Sequence, residues 1–409
     1  MGGMRARRAA AVAATCAVLA VTAACGAGGA RSADPSVVSA PDPVIRTGVP
    51  TLRVEVVARG LEQVQDIGFL PNGQMLVIQQ GGQLLLLSGD DPGAAIAPVA
   101  ADMGDVWVRR EAGLMGIVVH GDFRSSRRFT TCQTHAERGV PIDVRLVTWE
   151  LSADGRSARR LVDPLVGGLP LSSSGRHAGC GPTIAADGSL LVGTGDATDP
   201  GEPQDLSSLG GKVLRVDLRT GGPPLGNPFS AEPDPALQLV LTFGHANVTG
   251  IAIDPISGTA YATDAGTGRE DEINKLVAGQ NYGWDPSHGG RRYDIYDRST
   301  PGTDLVRYPT AIPAAWSSGA PAPGFTGAAF IDGRQWGDLN GRLAVTAGSD
   351  RRLLLMRIGP EGKIDDVLIP AELEKAFGEL SGVRFSPAGE LYVTTSNGTD
   401  DKVLRITPV

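Results

Sequence analysis

Histidine and cysteine are scarce in this chain of 409 residues, at five and four. They are also scattered, so no Cys/His group has zinc-ligand spacing. The sequence has no glycine-rich loop that would cradle a phosphate, no nucleophile elbow and no EF-hand spacing. Basic residues are outnumbered, 37 Lys and Arg against 45 Asp and Glu, for a formal charge of −8. A nucleic acid or an anionic membrane surface is therefore not an expected partner. Helical periodicity is rare, and no apolar run is long enough to span a bilayer comfortably.

The one sustained apolar run is Ala9 to Ala24, preceded by Arg5, Arg7 and Arg8. That is the order of a secretory signal. It ends "VTAAC", which resembles the lipobox of bacterial lipoproteins, whose cysteine is lipidated. Residues 1–24 are thus expected to be removed and Cys25 to carry lipid on the extracytoplasmic face, the alternative being ordinary cleavage near Ala24 and secretion. Removal takes three arginines and no acids, changing the charge from −8 to −11. Residues 25–50 then read as a flexible tether. Cys132 and Cys180 are left outside the cytoplasm, where thiols oxidise. They are expected to form a disulfide if the fold brings them together, the alternative being two buried free thiols.

Glycine and proline are plentiful, at 56 and 29, and spread along the chain as many turns would require. A pattern recurs: apolar strand, Pro/Asp-Gly turn, second apolar strand, then a third. It stands in "DIGFLPNGQMLVIQQGGQLLLL", "GPTIAADGSLLVGTGD", "GIAIDPISGTAYATDAG" and "GVRFSPAGELYVTTSNGTDDKVLRI". Two further segments, beginning "GLMGIVVHGDF" and "GAAFIDGRQWGD", fit it loosely, giving six units over 51–409. One such unit cannot cover both of its faces, whereas radial stacking does. The expectation is an all-β, six-bladed β-propeller over 51–409, with "LRVEVVARG" (52–60) closing the ring by completing the last blade.

Loops at one end of a propeller's channel converge, so distant residues can share a site. His177 stands in the glycine-rich "SGRHAGCG", and a hairpin would return Asp196 toward it to hold the imidazole. "GHANVTG" offers His245 and Asn247. "DAGTGREDEINKLVAGQNYGWD" supplies Asp271, Glu272, Asn274, Tyr282 and Asp285, oxygen donors of the type Ca²⁺ takes, or else a solvated acidic loop.

At these residues the chain resembles the glucose/sorbosone dehydrogenase family, which includes soluble pyrroloquinoline-quinone-dependent sugar dehydrogenases. The resemblance runs in order through "GLEQVQDIGFLPNGQMLVIQQGG", "EAGLMGIVVHGDF", "LGGKVLRVDLRTGGPPLGNPF" and "DEINKLVAGQNYGW". It implies quinone-dependent oxidation of a sugar or similar alcohol or aldehyde. His177 would be the general base and Asp196 its orienting carboxylate. It implies a cofactor calcium near the backbone carbonyls of Gly266 and Thr267, a second calcium at Glu272, Tyr282 and Asp285, and a cofactor contact from Asn247.

Departures accompany the match. Where the family grips the quinone's carboxylates with arginine, this chain has Ala246, Glu379 and Ser381, and its glutamines become Thr249 and Glu111. The acid before the base is Arg176. Arg176, Arg269, Arg351 and Arg352 are nearby candidates to replace the grip. Two other readings follow. One is a non-catalytic, lipid-anchored propeller that binds an envelope component or serves as a scaffold there. The other is a calcium-dependent lactonase, which would need a carboxylate cluster on the channel axis.

Overall fold

A computed structural model describes residues 42–266, 268–287 and 300–409. The signal segment, Cys25 and Thr267 lie outside them. Six sheets follow one another along the chain, each built on four antiparallel strands, and one of them has a fifth strand added at its edge. The first blade is Val64–Phe69, Met75–Gln79, Gln83–Leu87 and Ile96–Val99, and the second Leu114–Val119, Arg128–Glu137, Val140–Leu151 and Ala158–Leu169. The third is Thr183–Ile184, Ser189–Gly193, Lys212–Asp217 and Val240–Phe243, and the fourth Val248–Ile253, Ala260–Asp264, Glu272–Lys275 and Trp316–Ser317. The fifth is Phe325–Phe330, Leu343–Ala347, Arg352–Ile358 and Ile364–Ile369. The sixth takes Leu380–Phe385, Leu391–Thr395 and Asp401–Pro408 from the C-terminus and Leu52–Leu61 from the other end, with Leu52 opposite Pro408. This is the six-bladed propeller, closed by its two ends.

The repeated turns work as the sequence suggests. Gly73 and Gly188 sit at φ +86° and +83°, donating to Leu70 and Ala185 to close their hairpins. Between blades the strands are apolar on both faces. Trp149 and Phe129 of the second blade stack at 6.4 Å in a core shared with Leu76, Ile78 and Leu84 of the first.

A less visible feature governs how tightly the blades close. Each inner strand carries or adjoins a glycine: Gly68, Gly116, Gly181, Gly250, Gly327 and Gly382. These touch in sequence around the axis. A methyl on Gly116 would lie 2.4 Å from Pro182, on Gly181 2.6 Å from Gly250, and on Gly250 2.8 Å from the Ala328 nitrogen. The ring continues from Gly327 to Val383 and from Gly382 to Gln65. The strands pair with register shifts beside these glycines in five of the six blades. Such bulges turn each strand toward its neighbour.

Two further observations bear on the sequence reading. The tether expected over 25–50 is corrected at its C-terminal end. Val44–Thr47 forms a strand added in parallel to Ile364–Ile369, and Arg46 pairs with Asp366 at 2.9 Å. Cys132, within the second blade, and Cys180, just before the third, are joined by a disulfide with their Cα atoms 5.9 Å apart. The bridge spans 48 residues of sequence. A loop of that length constrains the unfolded chain by about 4 kcal/mol on the chain-entropy view.

The glycine ring makes a direct prediction. Gly250→Ala will destabilise the fold by about 1–3 kcal/mol, because only backbone stands in the methyl's way. Gly89→Ala, with nothing within 4 Å, will stay within about 0.5 kcal/mol of the parent. Equal denaturant midpoints for the two variants would show that close approach at the axis is not limiting.

Candidate active site

Loops from all six blades meet at one end of the channel around a cavity of about 710 Å³. His177 lies in its wall, on the loop entering the third blade, and is itself only 2% exposed. Its Nδ1 lies 2.7 Å from Asp196 Oδ1. A carboxylate only accepts, so Nδ1 carries the proton and Nε2 is left as the basic nitrogen. Asp196 is fully buried and is held in turn. Trp284 Nε1 donates to its Oδ2 at 2.9 Å, and the Thr198 amide donates to its Oδ1 at 2.8 Å. Nε2 lies over Gly266, where a methyl would come within 2.9 Å of it. Burial alone would push the imidazole down. The Asp196 carboxylate, with Glu111 and Asp264 behind it, carries it above the ordinary value of 6.5 instead.

The other candidates separate by their partners. His245 is buried with both nitrogens engaged, Nδ1 to Asp264 at 3.0 Å and Nε2 to Thr242 at 2.9 Å, and its ring stacks on Tyr282. It supports the loop and has no free nitrogen for catalysis. Asn247 lines the cavity, but its amide holds the wall together: Oδ1 accepts from the Gly179 amide at 2.9 Å and Nδ2 donates to Glu111 at 3.3 Å. The same Glu111 oxygen accepts from the His177 amide at 2.9 Å.

The oxygen donors of residues 271–285 do not gather. Asp271 accepts from the Gly324 and Phe325 amides and is pushed up to about 7 by burial. The Tyr282 hydroxyl donates to the Lys275 carbonyl and accepts from the Val277 amide. Asp285 takes Tyr308 and Arg307. The trio Glu272, Tyr282 and Asp285 therefore does not form a side-chain calcium site. All three members spend their oxygens locally, Glu272 on the Thr303 hydroxyl at 3.0 Å and Asn274 Nδ2 at 3.3 Å, and no group of three or more His, Cys, Asp or Glu side chains converges among the described residues. Burial pushes Glu272 up to about 8, and beside it the buried Asn274 Oδ1 has no hydrogen-bond partner. Gly266 belongs to the cavity wall, while Thr267 lies outside the described residues.

The charges on the cavity wall are divided. Among the described residues its cations are Arg176, beside the histidine, and Arg110, which the sequence reading missed although it directly precedes Glu111. Arg269, Arg351 and Arg352 do not line it, and Arg269 and Arg352 pair with Glu270 and Asp350. On the sixth blade's side the wall offers Glu379 and Ser381, while Ala246 is buried behind the wall. Arg110, Arg176 and the bare Gly266 in the wall suit a carboxylated quinone, and among the described residues no other arginine lines it. The carboxylate cluster a lactonase would need is absent among the described residues. Asp66, deeper on the axis, is paired with Arg384 at 2.7 Å.

Known proteins share this fold. A model of the Glucose / Sorbosone dehydrogenase family matches residues 61–405. The aldose sugar dehydrogenase YliI of Escherichia coli is 26% identical over 365 residues, 88% of this chain and 93% of that protein. The solved PQQ-bound form of aldose sugar dehydrogenase from Streptomyces coelicolor is 26% identical, covers 87% of this chain and 98% of its own, and superposes with a TM-score of 0.69. The solved apo form of the soluble aldose sugar dehydrogenase from Escherichia coli is 25% identical over 88% of this chain and all of its own, with a TM-score of 0.72.

The electrostatics of the pair can be checked without any substrate. In an NMR titration His177 of the parent will protonate above pH 6.5. In Asp196→Asn the largest raising charge is gone and burial remains, so protonation will move to lower pH than in the parent. An unmoved titration would mean that Asp196 does not set the basicity of the ring.

Proposed function

This chain belongs to the glucose/sorbosone dehydrogenase family, and from that premise we propose that it oxidises an aldose or a similar alcohol or aldehyde, with His177 as general base. The family is one of sugar-oxidising oxidoreductases. The observation that carries the finer reading is the buried His177–Asp196 pair, with Nε2 of the ring on the cavity side.

The chemistry then follows from the residues. Nε2 accepts the proton of the substrate's C1 hydroxyl, and Asp196 stabilises the imidazolium that results. Trp284 and the Thr198 amide keep that carboxylate from rotating away. Gly266 carries no side chain, where a methyl would crowd the imidazole. Arg110 and Arg176 attract an anionic cofactor, while amides and hydroxyls such as Gln65 and Ser396 suit a polyhydroxylated substrate. Pyrroloquinoline quinone, when bound, would accept the hydride, with Ca²⁺ near the Gly266 carbonyl polarising it.

The test is calorimetric titration of quinone and Ca²⁺ into the purified mature domain, followed by dye reduction with a panel of aldoses. Binding and aldose-dependent turnover are expected. His177→Ala will cut turnover by about 10²–10⁴-fold while the quinone still binds. A second reading, a non-catalytic envelope module, is favoured by Glu379, Ser381 and Ala246 at the expected arginine positions. Absence of quinone binding, with His177→Ala leaving the biological role intact, would select it.

We further propose that the protein works on the extracytoplasmic face of the membrane, anchored through lipid on Cys25. The basic n-region, the "VTAAC" junction and a disulfide suited to an oxidising compartment support this. Mass spectrometry of the mature N-terminus will find a lipidated Cys25, and Cys25→Ser will move the protein out of the detergent phase. An unmodified terminus near Ala24 on protein in the medium would mean secretion instead.

A further inference from the structure

The loop that carries His177 is held in a conformation its backbone does not favour. Gly175, His177, Gly179 and Cys180 have φ of +74°, +52°, +69° and +88°. Two of the four are not glycine, and such residues persist only where their surroundings overdetermine them. The surroundings here are close. A methyl on Gly179 would lie 2.5 Å from the Gly195 nitrogen, and one on Gly195 would strike the His177 carbonyl.

The restraints are mostly single hydrogen bonds. Glu111 takes the His177 amide at 2.9 Å, and Asn247 takes the Gly179 amide at 2.9 Å. The Cys180 amide donates to Gly193 at 2.9 Å, and the Ala197 amide to His177 at 3.2 Å. One restraint is covalent. Cys180, three residues after the histidine and itself in the cavity wall, is bonded to Cys132. Cys132 is fully buried in the middle of the second blade, between Gly116 and Leu146 on the neighbouring strands. The bridge therefore ties the end of a strained loop to the interior of a rigid sheet.

We propose that the Cys132–Cys180 disulfide is a positioning element for His177, keeping the imidazole on Asp196 and its Nε2 at the cavity, so that reduction of the bridge disables the base. Reduction by a dithiol breaks the S–S bond. Two electrons and two protons pass to Cys132 and Cys180 as thiols, and the dithiol becomes its cyclic disulfide. The loop then keeps only its hydrogen bonds against its backbone strain. The activity part rests on the proposed role of His177, while the structural part does not.

The experiment uses the folded mature protein, treated with dithiothreitol well below its unfolding temperature, with Cys132→Ala as a second form. Chemical reduction leaves every side chain in place, so the idea stays testable even if the variant folds poorly. One readout is the low-field proton resonance of the His177 Nδ1–H bonded to Asp196. The other is kcat against KM after reconstitution. Reduction is expected to broaden or shift the resonance and to lower kcat by about 10–100-fold with KM changed less than about twofold, reversibly on reoxidation. An unchanged resonance and kcat, with only a lower melting temperature, would overturn the proposal and leave the bridge a stabiliser of the fold. If no form oxidises any aldose, the resonance alone decides, and the proposed activity fails separately.

Discussion

The arrangement depends on how closely six β-strands can approach one axis. Each inner strand carries or adjoins a glycine. At five of the six the next blade's backbone comes within reach of a methyl group, and most have a bulge beside them. Side chains at those points would push the blades outward. Without them the strands converge, and the loops above them meet around a single cavity. The site is thus a consequence of the packing beneath it. Residues as distant as Glu111, His177, Asn247 and Trp284 become neighbours because the strands they flank are forced together.

Two buried histidines near the cavity differ in what surrounds them. His177 and His245 each meet a buried carboxylate. His245 also gives its second nitrogen to Thr242 and its face to Tyr282, leaving nothing for a substrate. The second nitrogen of His177 is turned toward the bare Cα of Gly266 and the cavity. The His245–Asp264 pair stiffens the loop that presents Asn247, and the His177–Asp196 pair lies in the cavity wall.

Much of this was legible in the sequence. The hairpin turns and apolar runs specify the blades, and "LRVEVVARG" has no partner except the far terminus. His177 and Asp196 sit at the two ends of one hairpin unit, so a local return brings them together. What escaped notice depended on contacts that no local pattern encodes. Arg110 reaches the cavity wall only because the second blade stands beside the third. Tyr282 and Asp285 look like cation ligands until Lys275, Val277, Tyr308 and Arg307 claim their oxygens. Val44–Thr47 joins a sheet in parallel at its edge, a pairing without a hairpin to announce it. The glycine ring was present in "DIGF", "LMGI", "VTGI", "FTGA" and "LSGV", but its meaning depends on the neighbouring blade.

The central claim is that His177, with its basicity raised by Asp196, takes the substrate proton. The most direct measurement is the pH dependence of single-turnover aldose oxidation by the reconstituted protein. A base must be unprotonated, and this one protonates above 6.5, so the rate should fall on acidification along a limb whose midpoint lies above 6.5. A rate that is flat across that range, or whose limb lies in the carboxylate region near pH 4, would contradict the account.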